Sequence, residues 1–223
     1  MMSENVMKWL GVVSGIIGIG LLLYVLFPIF SYELFSKNEF TNYLSPVPGG
    51  ENYSLQTEKQ DFTKASNWFE TDEEVVFEDT NLRFYTLGIP KLGIENATVS
   101  VGGENLSDSL IQYPGTALPG KRGNAVIFGH SILPQFFNPK DYLTIFSTLP
   151  KMKANDEILI NSDGLNYLYR VEDVFEVKPT DIQILEQNTS DSFLTLVTCV
   201  PPGHPLRPKR LVVRARLIPL AER

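Results

Sequence analysis

From Trp9 to Phe30 the chain reads WLGVVSGIIGIGLLLYVLFPIF, apolar on every face of the helix it would form. At ~1.5 Å rise per residue that helix is ~33 Å long, enough to cross a bilayer core of ~30 Å. No residue from Trp9 to Tyr32 is charged, and the SYELFSK that follows lacks the small-residue cleavage site of a signal peptide. The pattern therefore predicts an uncleaved transmembrane signal anchor over residues 9–32. Lys8 precedes the span and Glu33 follows it. By the positive-inside rule, residues 1–8 are cytoplasmic and everything after the span lies outside the cell.

Residues 33–80 are polar and hold no sustained period, and SPVPGG (45–50) breaks any regular element. Between Glu51 and Asp79 nine acids face two lysines, a net −7. This composition reads as an acidic linker holding a domain off the membrane. Trp68, Phe69 and Phe77 stand out in it, and could form a short helix packed on the domain or laid over a groove.

Beyond residue 80 the period changes to that of strands. FYTLGI (84–89), ATVSV (97–101), AVIFGH (125–130), EILIN (157–161), YLYRVEDVFEV (167–177), SFLTLVTC (192–199) and RLVVRARLI (210–218) are separated by turn residues. Asp163-Gly164 is a hairpin signal. Leu143, Phe146 and Leu149 have helical spacing. Seven strands with one or two short helices point to an all-β domain over residues 81–223, a closed or nearly closed barrel.

Composition narrows the chemistry. Charged residues are 20% and apolar ones 43% of the chain, ordinary globular values. A net charge of −7 argues against a nucleic-acid partner. One cysteine and two histidines exclude a disulfide framework, a Cys-clustered zinc site and any cofactor that needs them, so neither a metal nor a cofactor is expected.

A lone cysteine working with a histidine and an arginine does survive. Cys199 and His130 each end a predicted strand; His204, in the loop PPGHPL, is the rival imidazole. Arg210 opens the last strand, eleven residues after Cys199, which lets the two strands pair antiparallel with their ends together. A thiol is mostly protonated at neutral pH. An imidazole takes its proton and later protonates a leaving amine. A fixed guanidinium stabilises the oxyanion formed between those steps.

With these residues in view, the sequence resembles the sortases, bacterial cell-surface cysteine transpeptidases. TLGIPKLGIENATV (86–99) is similar to the family's opening strand pair, and YPGTALPGKRGNAVIFGHS (113–131) to the segment leading into its histidine. TLVTC (195–199) matches the T-L-x-T-C signature, and KRLVVRARL (209–217) resembles the segment whose first arginine is catalytic. The resemblance implies a sortase-like closed β-barrel of about eight strands. It implies Cys199 as nucleophile, His130 as acid/base and Arg210 as oxyanion stabiliser. It further implies cleavage of an L-P-x-T-G-like sorting signal near the C-terminus of surface proteins. A thioester acyl-enzyme then passes to an amine acceptor, a cell-wall precursor or a protein lysine. Ile182 and Thr198 are expected to meet the substrate, with Ile184 and Leu185 as further pocket-liners.

The chain closes on IPLAER rather than on a second membrane helix, which favours a single-pass anchoring type. The lid of pilin-polymerising sortases has an Asp-Pro-aromatic motif that NWF (67–69) does not match. Two other readings compete. An L,D-transpeptidase would place its cysteine in an S-H-G-C context, which TLVTC lacks, and a wall-binding β-domain would carry an inert Cys199.

Overall fold

The computed structural model describes residues 4–42, 61–68 and 83–219, which fall into two units divided between Glu39 and Phe40. The first is a single helix, α1 (Glu4–Glu39), with Pro28 inside it. Its stretch Met7–Ser36 has a mean hydropathy of 2.5 and is long and apolar enough to cross a membrane. The helix runs past the expected end at residue 32 because YELFSKNE contains neither glycine nor proline to stop it. The rest of the expected linker lies mostly outside the described residues, Phe69 and Phe77 included. Asp61–Trp68 is described, and it belongs to the second unit.

That unit is a closed barrel. A two-residue strand β1 (Thr41–Asn42) precedes β2 (Arg83–Ile89), β3 (Ile94–Val101), β4 (Leu110–Gln112), β5 (Gly123–Phe128), β6 (Glu157–Ser162), β7 (Leu165–Val177), β8 (Ser192–Val200) and β9 (Lys209–Leu217). The sheet order is β1-β7-β6-β2-β3-β4-β5-β8-β9, and pairing of β7 with β9 closes β2–β9 into eight strands, the barrel that the resemblance implies. The β6–β7 hairpin turns at Asp163 and Gly164, whose φ angles of 52° and 76° are the pair of positive values a type I′ turn requires.

Core burial explains the composition of the strands. All nine residues of β8 are buried, between β5 on one side, in parallel, and β9 on the other, antiparallel. A strand covered on both faces reads as continuous apolar sequence rather than as alternation, as SFLTLVTC does. β6 and much of β7 have one wet face, and there the alternation is visible.

The helix expected around Asp141–Leu149 does not form. The segment is a run of turns ending in a 3-10 turn at Leu149–Lys151, with i→i+3 bonds such as Thr144 N to Asp141 O and Ser147 N to Thr144 O. The amide of Phe146, which an α-helix would point at the carbonyl of Tyr142, donates to the carbonyl of His130 instead at 2.9 Å. A tertiary partner thus captures a bond that helical spacing assigns locally.

Candidate active site

Strand register brings the chemistry together. β5 and β8 run parallel with Phe128 opposite Val197. Past the end of this ladder the chains remain stapled. Gly129 N donates to Val197 O at 3.1 Å, Thr198 Oγ1 to Gly129 O at 2.8 Å, and Ser131 Oγ to Cys199 O at 2.6 Å. His130 therefore leaves β5 at the same level as Cys199 leaves β8. On the other side, β9 pairs antiparallel with Cys199 directly opposite Arg210. Imidazole, sulfur and guanidinium stand at one end of three adjacent strands. Gly129 permits this approach, since a Cβ there would meet Phe146 at 2.4 Å and Leu110 at 2.6 Å.

All three side chains are buried: His130 is 4%, Cys199 2% and Arg210 1% exposed. The strap Asp61–Trp68 accounts for this. Asp61 Oδ1 accepts from the amide and hydroxyl of Thr63, starting a turn that becomes the 3-10 helix Ala65–Trp68. Trp68 Nε1 donates to Phe62 O at 2.9 Å, folding the strap on itself. The strap pairs with the barrel through an antiparallel bridge between Lys64 and Asn105. There Ala65 N donates to Glu104 O at 2.9 Å and Leu106 N to Thr63 O at 2.8 Å. Ser66 Oγ adds a bond to Glu104 Oε1.

Trp68 is the strap's deepest residue, fully buried. Its ring stacks on Phe128 at 5.3 Å and 11° and lies 5.8 Å from the His130 ring. Around it the groove cluster includes Ile111, Tyr113, Val126, Val197 and Cys199, with Ile184 and Leu185 packed against it. Its carbonyl accepts from Arg210 Nε at 3.1 Å and Nη2 at 2.9 Å. The remaining nitrogen, Nη1, reaches Arg207 O at 2.8 Å. The guanidinium is thus held in one orientation, two of its donors aimed at a peptide carbonyl.

Burial sets the electrostatics. It lowers the His130 pKa to about 4; the Arg207 cation pushes the same way and Asp61 opposes both. Burial also raises the Cys199 pKa, outweighing the cations of Arg210 and Arg207. Under the strap, thiol and imidazole are both neutral at neutral pH. His130 Nε2 has no hydrogen-bond partner among the described residues.

The stability consequence has a definite sign. The imidazole titrates near 6.5 when unfolded and about 4 when folded, so the unfolded chain binds the proton more tightly. His130 therefore contributes stability above pH 6.5 that is lost as the pH falls towards 4. At ~1.36 kcal/mol per unit this is about 3 kcal/mol. Urea unfolding of the wild type and of His130→Asn at pH 7 and pH 4 measures it: the wild type is expected to lose more stability than the variant by roughly that amount. Equal losses would show that His130 is not buried as a neutral group.

The other expected site residues lie elsewhere. His204 sits in the β8–β9 loop, where its Nδ1 accepts from Leu206 N. Thr198 is fully buried, its hydroxyl committed to Gly129 O. Ile182 is 44% exposed on the 3-10 turn Ile182–Leu185, and Ile184 and Leu185 reach the groove cluster instead. Among the described residues no three His, Cys, Asp or Glu side chains gather as metal ligands. The aromatic cluster in the acidic stretch points to a short helix laid over a groove, and Trp68 ends such a turn; what the sequence does not signal is the clasp of its carbonyl on Arg210.

Comparison with known proteins gives a consistent result. The family model of the Sortase domain matches residues 87–218. Sortase A from Corynebacterium diphtheriae, in a lid mutant, is 28% identical with a TM-score of 0.54, over 64% of this chain and 74% of that one. A Clostridium perfringens sortase D5 transpeptidase is 27% identical with a TM-score of 0.52, over 61% and 79%. The pilus-related sortase C of Group B Streptococcus is 25% identical with a TM-score of 0.54, over 68% and 78%. No curated protein sequence matches the chain.

Proposed function

Because the chain belongs to the sortase family of cysteine transpeptidases, we propose that it cleaves an L-P-x-T-G-like sorting signal and transfers the protein to an amine at the cell surface. The observation that carries this reading is the register that sets Cys199 opposite Arg210 while hydroxyl staples hold His130 beside them. His130 takes the Cys199 thiol proton, and Sγ attacks the carbonyl carbon of the threonine. The oxyanion formed takes the two Arg210 donors now spent on Trp68 O. His130 protonates the departing glycine amine, and a thioester remains. An acceptor amine then attacks the thioester, gives a proton to His130 and displaces the thiolate as a new amide bond forms. Ile184 and Leu185 line the groove for the signal's apolar residues.

α1 supports the placement: as a single-pass anchor with a cytoplasmic N-terminus, it holds the barrel outside the membrane, where surface proteins and wall precursors meet. The strap acts as a lid. It fills the groove and occupies Arg210, so it must leave before a donor binds.

The reading is tested with the full chain in detergent or nanodiscs. Incubation with an L-P-x-T-G peptide and a primary amine is expected to yield product cut between Thr and Gly and joined to the amine. Absence of cleavage across a panel of such peptides would refute it. Trp68→Ala removes the stack on Phe128 and should loosen the lid. Alkylation of Cys199 is then expected to accelerate at least 10-fold, in line with the ~3–5 kcal/mol typical of removing a buried Trp side chain. An unchanged labelling rate, measured by intact mass, would show that Trp68 does not guard the thiol.

A further inference from the structure

The strap does more than cover the sulfur: it runs in a particular direction. Chain order places Thr63 and Ala65 on the edge Glu104–Leu106 and then Trp68 O on Arg210. A peptide whose cleaved carbonyl rests on Arg210, with its upstream residues over the groove, follows the same path. The opposite path is less suited to the acyl side. Just after His130 in the chain, Ser131, Ile132, Leu133 and Phe136 line a cleft of about 260 Å³ with His204 and Arg207, which leaves space for the leaving-amine side of the donor. No strap residue lines it.

Resting on the reading above, the geometry points to the backbone edge Glu104–Leu106 as a docking strand for the acyl-donor peptide, paired antiparallel in the place and direction of Thr63–Ala65. The edge offers one acceptor, Glu104 O, and one donor, Leu106 N, two residues apart. Such an edge takes an extended peptide through main-chain bonds and is indifferent to most side chains. Counted back from the carbonyl on Arg210, Ala65 is the third residue before Trp68, so a donor whose L-P-x-T takes the same 3-10 turn as Ala65–Trp68 puts Leu in the place of Ala65. The proline of that signal has no N–H to give, so of the residues in the places of Ala65 and Ser66 only Leu can donate to Glu104 O. The bond from Leu106 N then falls on a carbonyl two residues further upstream, outside the five-residue signal. Recognition thus extends past the motif, by backbone rather than by sequence, and strap and donor compete for the same two bonds.

The test uses full-chain Trp68→Ala in nanodiscs, to weaken the competitor, and donor peptides carrying four residues before L-P-x-T-G. N-methylation of the leucine amide removes the donor to Glu104 O. It is expected to raise KM roughly 3- to 10-fold, as for one net hydrogen bond, with kcat unchanged. Methylation of the residue just before leucine, whose N–H faces away as that of Lys64 does, should leave KM within 2-fold. A peptide that begins at leucine should show the higher KM too. A second readout avoids turnover: in Cys199→Ala/Trp68→Ala protein, the Leu106 amide resonance should shift with the long peptide and not with the one beginning at leucine. If cleavage proceeds with KM indifferent to both methylation and upstream length, or the Leu106 amide does not respond, the docking strand is wrong while the transpeptidase stands. If no donor is cleaved at all, it is the transpeptidase that fails.

Discussion

Cys199→Ala is expected to lower the rate of acyl transfer by roughly 10⁴-fold or more, the scale of losing a covalent nucleophile, with the fold retained. The thiol sits in the groove cluster as a small buried group, and its replacement by a methyl removes one heavy atom and no hydrogen bond that the barrel depends on. The backbone carbonyl of Cys199, which does bond to Ser131 Oγ, is untouched. Urea unfolding should therefore move by no more than about 1 kcal/mol, the scale of one deleted core atom group. The measurement is peptide cleavage followed by mass spectrometry, with trapping of the thioester by hydroxylamine in the wild type only. A tethered wall-binding domain with an inert cysteine predicts no change in any of these, so retained turnover in the variant would overturn the assignment of the nucleophile.

Arg210→Lys should separate two roles with opposite signs. Lysine keeps the charge but not the planar fork, and a single ammonium cannot reproduce the paired bonds that Arg210 makes to one carbonyl. Transfer is expected to slow by about 10²–10³-fold, the effect of losing one oxyanion donor, ~2.7–4 kcal/mol of barrier. The same loss frees Trp68 O, so the strap is held less firmly and Cys199 is expected to be alkylated faster than in the wild type. Slower chemistry at a more accessible thiol is a combination that general misfolding does not give, because misfolding speeds labelling but also lowers the unfolding midpoint. The nearby pair of Lys209 with Glu176, at 2.8 Å, keeps the start of β9 in place in the variant. If kcat/KM changes less than 3-fold while labelling accelerates, Arg210 is a clasp for the strap and not part of the chemistry.

Several parts of this arrangement are readable from sequence because they are local. Seven of the barrel strands declare themselves by composition and turn residues; the missed one, Leu110–Gln112, has only three residues and too little length to show a period. Asp163-Gly164 specifies its turn through two residues that accept positive φ. The antiparallel placement of Arg210 opposite Cys199 follows from a loop just long enough to reverse the chain. The helix expected at Asp141–Leu149 failed for the converse reason: its spacing is that of buried residues, and the bond that decides its backbone comes from His130 O, far away in the chain.

Sequence alone determined the long apolar helix, the strand-rich barrel and the three residue types able to run an acyl transfer, since apolar runs, turn chemistry and nucleophile-base pairs are properties of short stretches. Only the tertiary structure decided that residues 61–68 leave the acidic segment to lie across the groove, that Thr198 bonds to Gly129 rather than facing a ligand, and that burial drives thiol and imidazole to their neutral forms. Each of those depends on contacts between parts of the chain that sit scores of residues apart. A tryptophan's destination is set by which cavity the remaining chain builds for it, and no window of neighbouring residues contains that cavity.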